Sequence, residues 1–90
     1  MKYTVAYTPF AEYQLCDIWL RALNRPQVTA ASRQIERRLA REGHHAGRLR
    51  ADNRWAIIVT PLGYTFEVSD DDRVVTIVSV RYVPPDARGT

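Results

Sequence analysis

The sequence predicts an α+β domain with the order β-α-α-β-β-β, in which a helical hairpin packs on a small, mainly antiparallel sheet. Three observations predict this class. Residues 2–8 alternate apolar and polar side chains, residues 9–43 repeat apolar side chains at helical spacing, and residues 54–83 hold three short apolar runs separated by two turns. Ninety residues suffice for one domain, and so small a core favours an obligate partner or a homodimer.

The first strand and the first helix lie at the N-terminus. The alternation over residues 2–8 is typical of a half-buried strand. Thr8 then supplies an N-cap hydroxyl and Pro9 a proline at the first helical position, so a helix is predicted to begin there. Its apolar stripe is predicted to comprise Ala11, Leu15, Ile18, Trp19 and Ala22.

A second helix is predicted after Pro26, because proline disfavours the helical conformation in the residue before it. This helix is expected to end at Gly43 as its C-cap. Its apolar face consists of Val28, Ala31, Ile35 and Leu39. Because few residues separate the two helices, they are expected to form a tight antiparallel hairpin. Residues 44–53 show little periodicity and predict a loop.

Three strands follow the loop. Residues 55–60 are apolar on both sides, which predicts a strand covered on both faces for part of its length. Residues 61–64 predict a turn in which Gly63 accepts a positive φ, and residues 70–73 predict a second turn. The longest apolar run, residues 74–83, is predicted to be an interior strand.

The domain is predicted to span residues 1–83, and residues 84–90 are expected to form a flexible tail that the sheet does not include. No apolar run approaches the roughly 20 residues that span a bilayer, so no membrane partner is expected. The N-terminus lacks the continuous apolar segment of a signal peptide, and Cys16 is the only cysteine. Both features predict a cytoplasmic location.

Charge is distributed unevenly along the chain. The net charge of the chain is +3. Residues 21–54 hold nine arginines and three acidic residues, which gives a net charge of +6. Residues 55–90 hold three arginines and five acidic residues, which gives a net charge of −2. The basic middle segment favours an acidic partner, either nucleic acid or an acidic protein. A solvated helix face rich in arginine is an equally weighted interpretation.

The element order over residues 2–83 resembles the RelE/ParE superfamily of toxins from bacterial type II toxin–antitoxin systems. The resemblance is carried by YTPFAEYQLCDIW at the first helix, by GYTFEVSDDDRVVTIVSV across the last hairpin, and by the paired helices between them. It implies a toxin-like protein of the kind linked to plasmid stabilization. It also implies a cognate antitoxin whose helix or strand packs across the sheet and the helix groove.

The resemblance also separates two branches of that superfamily. RelE-like members cleave messenger RNA on the ribosome with basic groups, which the resemblance places at Ala56, Ile58, Thr65 and Val83 in this chain. None of these residues carries the basic group that such cleavage uses. The sequence therefore favours the ParE-like branch, whose members bind DNA gyrase without cleaving RNA, although Thr65 departs from the arginine common in that branch too.

Two alternatives stay open. A ribosome-dependent mRNA endoribonuclease would use Arg81, Tyr82 and Arg54 as its catalytic residues. A non-toxic binding module of the same fold would need none of them. For Arg81, a cross-strand ion pair with Glu67 is preferred over a catalytic role.

Basic side chains are the best candidates for partner or nucleic-acid binding. They are Arg33, Arg37, Arg41, Arg48 and Arg50. In a nuclease they would contact ribosomal RNA, and in a gyrase-directed toxin an acidic protein or the antitoxin. His44 and His45 are interpreted as part of a solvated loop, and Trp19 and Trp55 as core residues. No metal site, phosphate-binding glycine loop or cofactor is predicted.

Overall fold

A helical hairpin lies on one face of a five-stranded sheet in the computed structural model, which describes residues 2–84. The elements in chain order are β1 (Thr4–Tyr7), α1 (Pro9–Arg21), α2 (Arg25–Glu42), a short 3-10 helix (Gly43–Ala46), β2 (Arg48–Ala51), β3 (Arg54–Val59), β4 (Leu62–Ser69) and β5 (Val74–Tyr82). The strand order is β1-β5-β4-β3-β2. Strand β1 runs parallel to β5, and the other neighbours are antiparallel. The predicted α+β class and element order are confirmed, with one strand added.

Local capping determines where the helices begin and end. The Thr8 hydroxyl accepts a hydrogen bond from the Ala11 backbone N–H at 3.1 Å, and Pro9 opens α1 as predicted. Helix α2 ends at Gly43, whose φ of +58° favours glycine. A Cβ there would lie 2.5 Å from the Tyr3 ring, so the N-terminal segment packs directly against this cap.

The hydrophobic core lies between the hairpin and the sheet. All four predicted apolar residues of α2 are buried there, together with Ala11 of α1. The sheet contributes side chains from its three central strands, namely Ile57, Leu62, Tyr64, Phe66, Val75, Ile77 and Val80. Strand β5 pairs with β1 on one side and β4 on the other, which confirms the predicted interior strand.

Trp19 is not a core residue, contrary to the prediction. Its side chain is 38% exposed, and its indole N–H donates to the Thr29 hydroxyl of α2 at 3.1 Å. The Arg25 guanidinium lies 4.7 Å from the ring centroid. Ile18 and Ala22 do pack against the core, so Trp19 lies on the flank of the stripe, where it joins the two helices to each other.

The predicted loop over residues 44–53 is also wrong. It contains the end of the 3-10 helix and the edge strand β2, which pairs with β3. Every residue of β2 is exposed, so burial imposes no alternation on its sequence. His44 is half-buried with its ring centroid 5.0 Å from that of Trp55, whereas His45 is exposed as expected. Trp55 itself packs against the core.

The first hairpin turn lies two residues earlier than predicted. Val59 pairs with Leu62, so Thr60 and Pro61 alone form the connection, and the peptide bond between them is cis. Gly63 is therefore a strand residue and does not have a positive φ. Ile58 of β3 is 51% exposed, so this strand is not covered on both faces there. The second predicted turn does lie between β4 and β5.

Of the predicted tail, residues 84–90, only Pro84 lies within the described residues. The remainder of that prediction lies outside them. In the described part of the chain, neither helix combines the length and apolar character needed to span a membrane.

Candidate functional site

The sheet surface opposite the helices is the first candidate site, here called the outer face. Cross-strand neighbours point to the same side of a sheet, so the register identifies its members. One row runs across four strands through Arg48, Ala56, Thr65 and Ser79. The next row contains Ile58, Gly63 and Arg81. The middle of this face therefore carries uncharged residues, with arginines on both sides.

Three of the four positions expected to carry basic groups in an RNA-cleaving protein lie on this face. Ala56 and Thr65 are directly paired, and Ile58 is two residues from Ala56 on the same side of β3. Val83 follows β5, and its N–H donates to the Pro61 carbonyl at 2.7 Å. Val83 is only 8% exposed, so it contributes packing at this end of the sheet.

The alternative catalytic residues do not converge. Arg81 is exposed on the outer face opposite Gly63, whereas Tyr82 lines a cavity of about 470 Å³ on the helix side, next to Ile18 and Leu23. Successive residues of a strand point to opposite faces, so these two side chains act on different surfaces.

Arg54 lies at the other end of the sheet from Arg81. Its Nε is 2.6 Å from Glu67 Oε2, and Glu67 is four residues beyond Gly63 along β4, a separation of roughly 13 Å. The preferred ion pair between Arg81 and Glu67 is therefore wrong. Register explains the error, because Thr76 and not Arg81 lies opposite Glu67.

The five arginines proposed for partner binding separate into two groups. Arg33 and Arg37 line a shallow cleft on α2 beside Trp19, and the exposed Arg41 lies 3.3 Å from Glu42. Arg48 and Arg50 instead lie on β2. They line a cleft of about 390 Å³ whose other members are Arg38, Ala46, Gly47, Ala56, Ile57 and Ile58. Arg38 was not predicted as a site residue, because its position in the sequence of α2 gives no sign that its side chain faces β2.

A polar network joins the hairpin to the sheet, here called the tyrosine–glutamate network. The Tyr7 hydroxyl donates to Glu36 Oε2 at 2.5 Å and lies 2.7 Å from the Tyr64 hydroxyl. The two rings meet edge to face with centroids 5.9 Å apart. Sequence separations of 29 and 57 residues leave no local signal by which this network could have been predicted.

The network holds both phenols in the neutral form. Burial, followed by the hydrogen bond to Glu36, raises the pKa of Tyr7 far above its usual value. Burial also raises the pKa of Tyr64 to about 12. Neither hydroxyl can act as a base near neutral pH, so this network serves to join β1, β4 and α2.

The described residues offer few groups for acid–base or metal chemistry. Neither row of the outer face contains a histidine or carboxylate, and Glu67 further along β4 is paired with Arg54. No group of three potential metal ligands occurs within residues 2–84. His44 Nδ1 lies 3.8 Å from Asp70 Oδ1 and not on the outer face.

The fold of this chain is similar to those of several solved structures. A chain of the RelBE2 toxin–antitoxin complex from Mycobacterium tuberculosis superposes with a TM-score of 0.73 at 22% identity, covering 91% of this chain and 99% of that one. A chain of the chromosomal ParDE system from P. aeruginosa gives 0.69 at 16% identity, with coverages of 91% and 97%. The isolated RelE toxin from E. coli gives 0.62 at 19% identity, with coverages of 90% and 84%.

Sequence comparison adds no closer relative. No protein-family model matches the chain, and no curated protein matches it. The structural neighbours nevertheless cover nearly all of the described residues and agree with the resemblance over residues 2–83. The chain therefore has the same fold as these RelBE2, ParDE and RelE structures.

Proposed function

We propose that this chain is the toxin-like component of a bacterial type II toxin–antitoxin pair, neutralised by a cognate antitoxin. The fold supports this proposal, because its structural neighbours come from such pairs and include an isolated toxin. Exposed apolar side chains support a partner as well. Leu23 is fully exposed and Tyr82 is 51% exposed beside the groove between the hairpin and β5.

Within that proposal, the chain acts without cleaving RNA, in the manner of ParE-like proteins directed at DNA gyrase. One observation carries this choice: the outer face presents Ala56, Ile58 and Thr65 where RNA cleavage would use basic groups. Cleavage needs a base for the 2′-hydroxyl and a cation for the phosphorane at one point. Arg81, Tyr82 and Arg54 occupy different faces and ends of the sheet and do not supply such a point.

Expression of the chain alone in a bacterial host tests both levels of the proposal. We expect a growth defect that co-expression of the protein from the adjacent reading frame removes. DNA breaks that depend on gyrase are expected, while the 5′ ends of messenger RNA remain unchanged. The purified chain is expected to inhibit supercoiling by gyrase.

A matched pair of variants separates the two target classes. Arg81→Ala removes the outer-face cation that a nuclease would need, and Arg21→Ala removes an exposed arginine of α1 that is not among the five proposed binding arginines. Codon-phased RNA cuts that Arg81→Ala abolishes and Arg21→Ala preserves would establish the endoribonuclease alternative. Absence of any growth defect would contradict toxicity and favour a binding module.

A further inference from the structure

The outward side of α1 carries large apolar side chains that no other described element covers. Phe10 is 61% exposed, Tyr13 70% and Leu20 56%. Ala11 and Ile18, on the opposite side of the helix, pack into the core instead. Apolar side chains that are left in water next to one another mark a surface for contact with another molecule.

These side chains have the spacing of a seam between two helices. Phe10, Tyr13, Asp17 and Leu20 follow one another at intervals of three, four and three residues, which places them along one side of α1. We call these four residues the α1 row. Asp17 is its polar member, and its Oδ1 accepts a hydrogen bond from Arg21 Nε at 3.1 Å. The second carboxylate oxygen can accept another hydrogen bond.

The α1 row is complementary to its own copy when two α1 helices run antiparallel. The helix extends over Pro9–Arg21, so its midpoint is residue 15. A two-fold axis at this midpoint sets Phe10 of one copy opposite Leu20 of the other, and Tyr13 opposite Asp17. Apolar side chains then meet apolar side chains, and the Tyr13 hydroxyl donates to the Asp17 carboxylate. One helix thus supplies both halves of the contact.

Charge favours a second copy over other occupants of the α1 row. Two carboxylates and one arginine give α1 a net charge of −1, whereas five arginines and two glutamates give α2 a net charge of +3. Nucleic acids and anionic lipid surfaces are attracted to basic helices, so α2 suits them and α1 does not. A contact through α1 also joins two copies at the less basic helix, where the repulsion between their positive charges is smallest.

We propose that the α1 row is a dimer interface, through which two copies of this chain associate with their α1 helices antiparallel. The exposed fractions of Phe10, Tyr13 and Leu20 leave roughly 300–400 Å² of apolar side-chain surface in each copy. This is about half of the roughly 800 Å² that each partner buries in a standard interface. The dimer is therefore weak, with a Kd on the order of 100 µM. Dimerisation is independent of the proposed toxicity, because it requires only the folded chain.

Sedimentation of the full chain between about 10 µM and about 1 mM measures this association. A reducing agent is present, because Cys16 is exposed and a disulfide between copies would otherwise imitate the dimer. We expect the average mass to rise from that of one copy toward that of two. The amide shifts that change on dilution in NMR spectra are expected to lie within residues 10–21. Leu20→Glu is expected to weaken dimerisation at least about tenfold, since it sets an unpaired carboxylate against the Phe10 ring of the second copy.

The control makes the same substitution at a different surface. Leu49 of β2 is 60% exposed, and Leu49→Glu is expected to leave the dimer Kd within about twofold. A rescue tests the direction of the helices. Phe10→Lys together with Leu20→Glu is expected to dimerise more tightly than Leu20→Glu alone, because antiparallel helices set the introduced ammonium of each copy opposite the introduced carboxylate of the other. Circular dichroism verifies that each variant remains folded.

Several results would each overturn the proposal. Leu49→Glu could weaken dimerisation as much as Leu20→Glu, or the dilution shifts could lie outside residues 10–21, and either would show that another surface joins the copies. Absence of any recovery in the double variant would contradict the antiparallel arrangement. A chain that has the mass of one copy up to about 1 mM would exclude the dimer. If α1 amides of that monomeric chain shift when the protein from the adjacent reading frame or neutral phospholipid vesicles are added, the molecule added is the occupant instead.

Discussion

Replacing Tyr7 with phenylalanine tests the tyrosine–glutamate network by removing one oxygen. That oxygen donates to Glu36 and contacts the Tyr64 hydroxyl, so Tyr7→Phe removes two hydrogen bonds and leaves the phenyl ring in place. Tyr64 is 1% exposed, and its hydroxyl has no other hydrogen-bond partner among residues 2–84. The variant therefore leaves a buried donor unpaired.

The expected loss of stability is large for a domain of this size. A hydrogen bond to a charged group contributes about 1.5–3 kcal/mol, and an unsatisfied buried hydroxyl costs about 1–3 kcal/mol. Because these contributions are not additive, we expect a decrease of about 2–4 kcal/mol in the free energy of unfolding. A 90-residue domain has roughly 5–13 kcal/mol in total, and the melting temperature is expected to fall by roughly 10–25 °C.

Urea unfolding followed by tryptophan fluorescence and circular dichroism measures this change. Tyr13→Phe is the matched control, because Tyr13 is 70% exposed and is expected to change stability by less than about 0.5 kcal/mol. A Tyr7→Phe protein within about 0.5 kcal/mol of the wild type would refute the argument that the network joins the hairpin to the sheet. An equal loss in both variants would refute it as well.

Two further predictions concern the same core. The free energy of unfolding is expected to be highest below pH 10 and to fall as pH rises toward 12, because unfolded tyrosine ionises near pH 10 while the pKa of Tyr64 in the folded chain is raised to about 12. Urea unfolding at pH 9, 10 and 11 measures this change. A urea midpoint that does not change with pH would contradict the prediction. Gly47→Ala is expected to cost about 1–3 kcal/mol, since a Cβ would lie 2.5 Å from the Ala56 carbonyl oxygen and 2.9 Å from the Phe66 ring. Gly63→Ala is expected to cost less, because a Cβ there would lie 3.1 Å from its nearest neighbour, a methyl carbon of Val83. Thermal melts of the two variants compare their stabilities. A larger loss in Gly63→Ala than in Gly47→Ala would contradict the prediction and show that the neighbours of Gly47 can move.

The predictions that were confirmed rest on local chemistry. Thr8 and Pro9 begin α1 because an N-cap hydroxyl and a preset φ act within one turn of helix. Gly43 ends α2 because few other residues adopt its positive φ at low cost. The long, mainly apolar segment of residues 74–83 predicted an interior strand, because a strand with neighbours on both sides contributes side chains to the core.

The predictions that were wrong depend on distant partners. Trp19 has an apolar ring at helical spacing, but its place beside Thr29 depends on how the two helices meet. Gly63 was assigned to a turn because the sequence does not reveal that Thr60 and Pro61 suffice for the connection. Glu67 was assigned to Arg81 because only the register shows that Arg54 lies within reach.

The arrangement of the proposed basic residues was not predicted. From the sequence, Arg48 and Arg50 were proposed as binding residues together with three arginines of α2, and they were expected to lie in a loop. The structure assigns them to an edge strand with Arg38 beside them. Four exposed residues have no hydrophobic alternation, so β2 could be recognised only by its hydrogen bonds to β3.

By itself, the sequence determined the order of the two helices and of four of the five strands, the start of α1, the end of α2, the buried face of α2 and the absence of basic groups at Ala56, Ile58 and Thr65. These properties follow from residue type and from interactions within a few residues. Tertiary structure alone decided the fifth strand, the separation of Arg81 from Tyr82 and Arg54, and the joining of Tyr7, Glu36 and Tyr64. Strand register and the docking of a helix on a sheet bring together residues far apart in the chain, and local preferences carry no information about such distances.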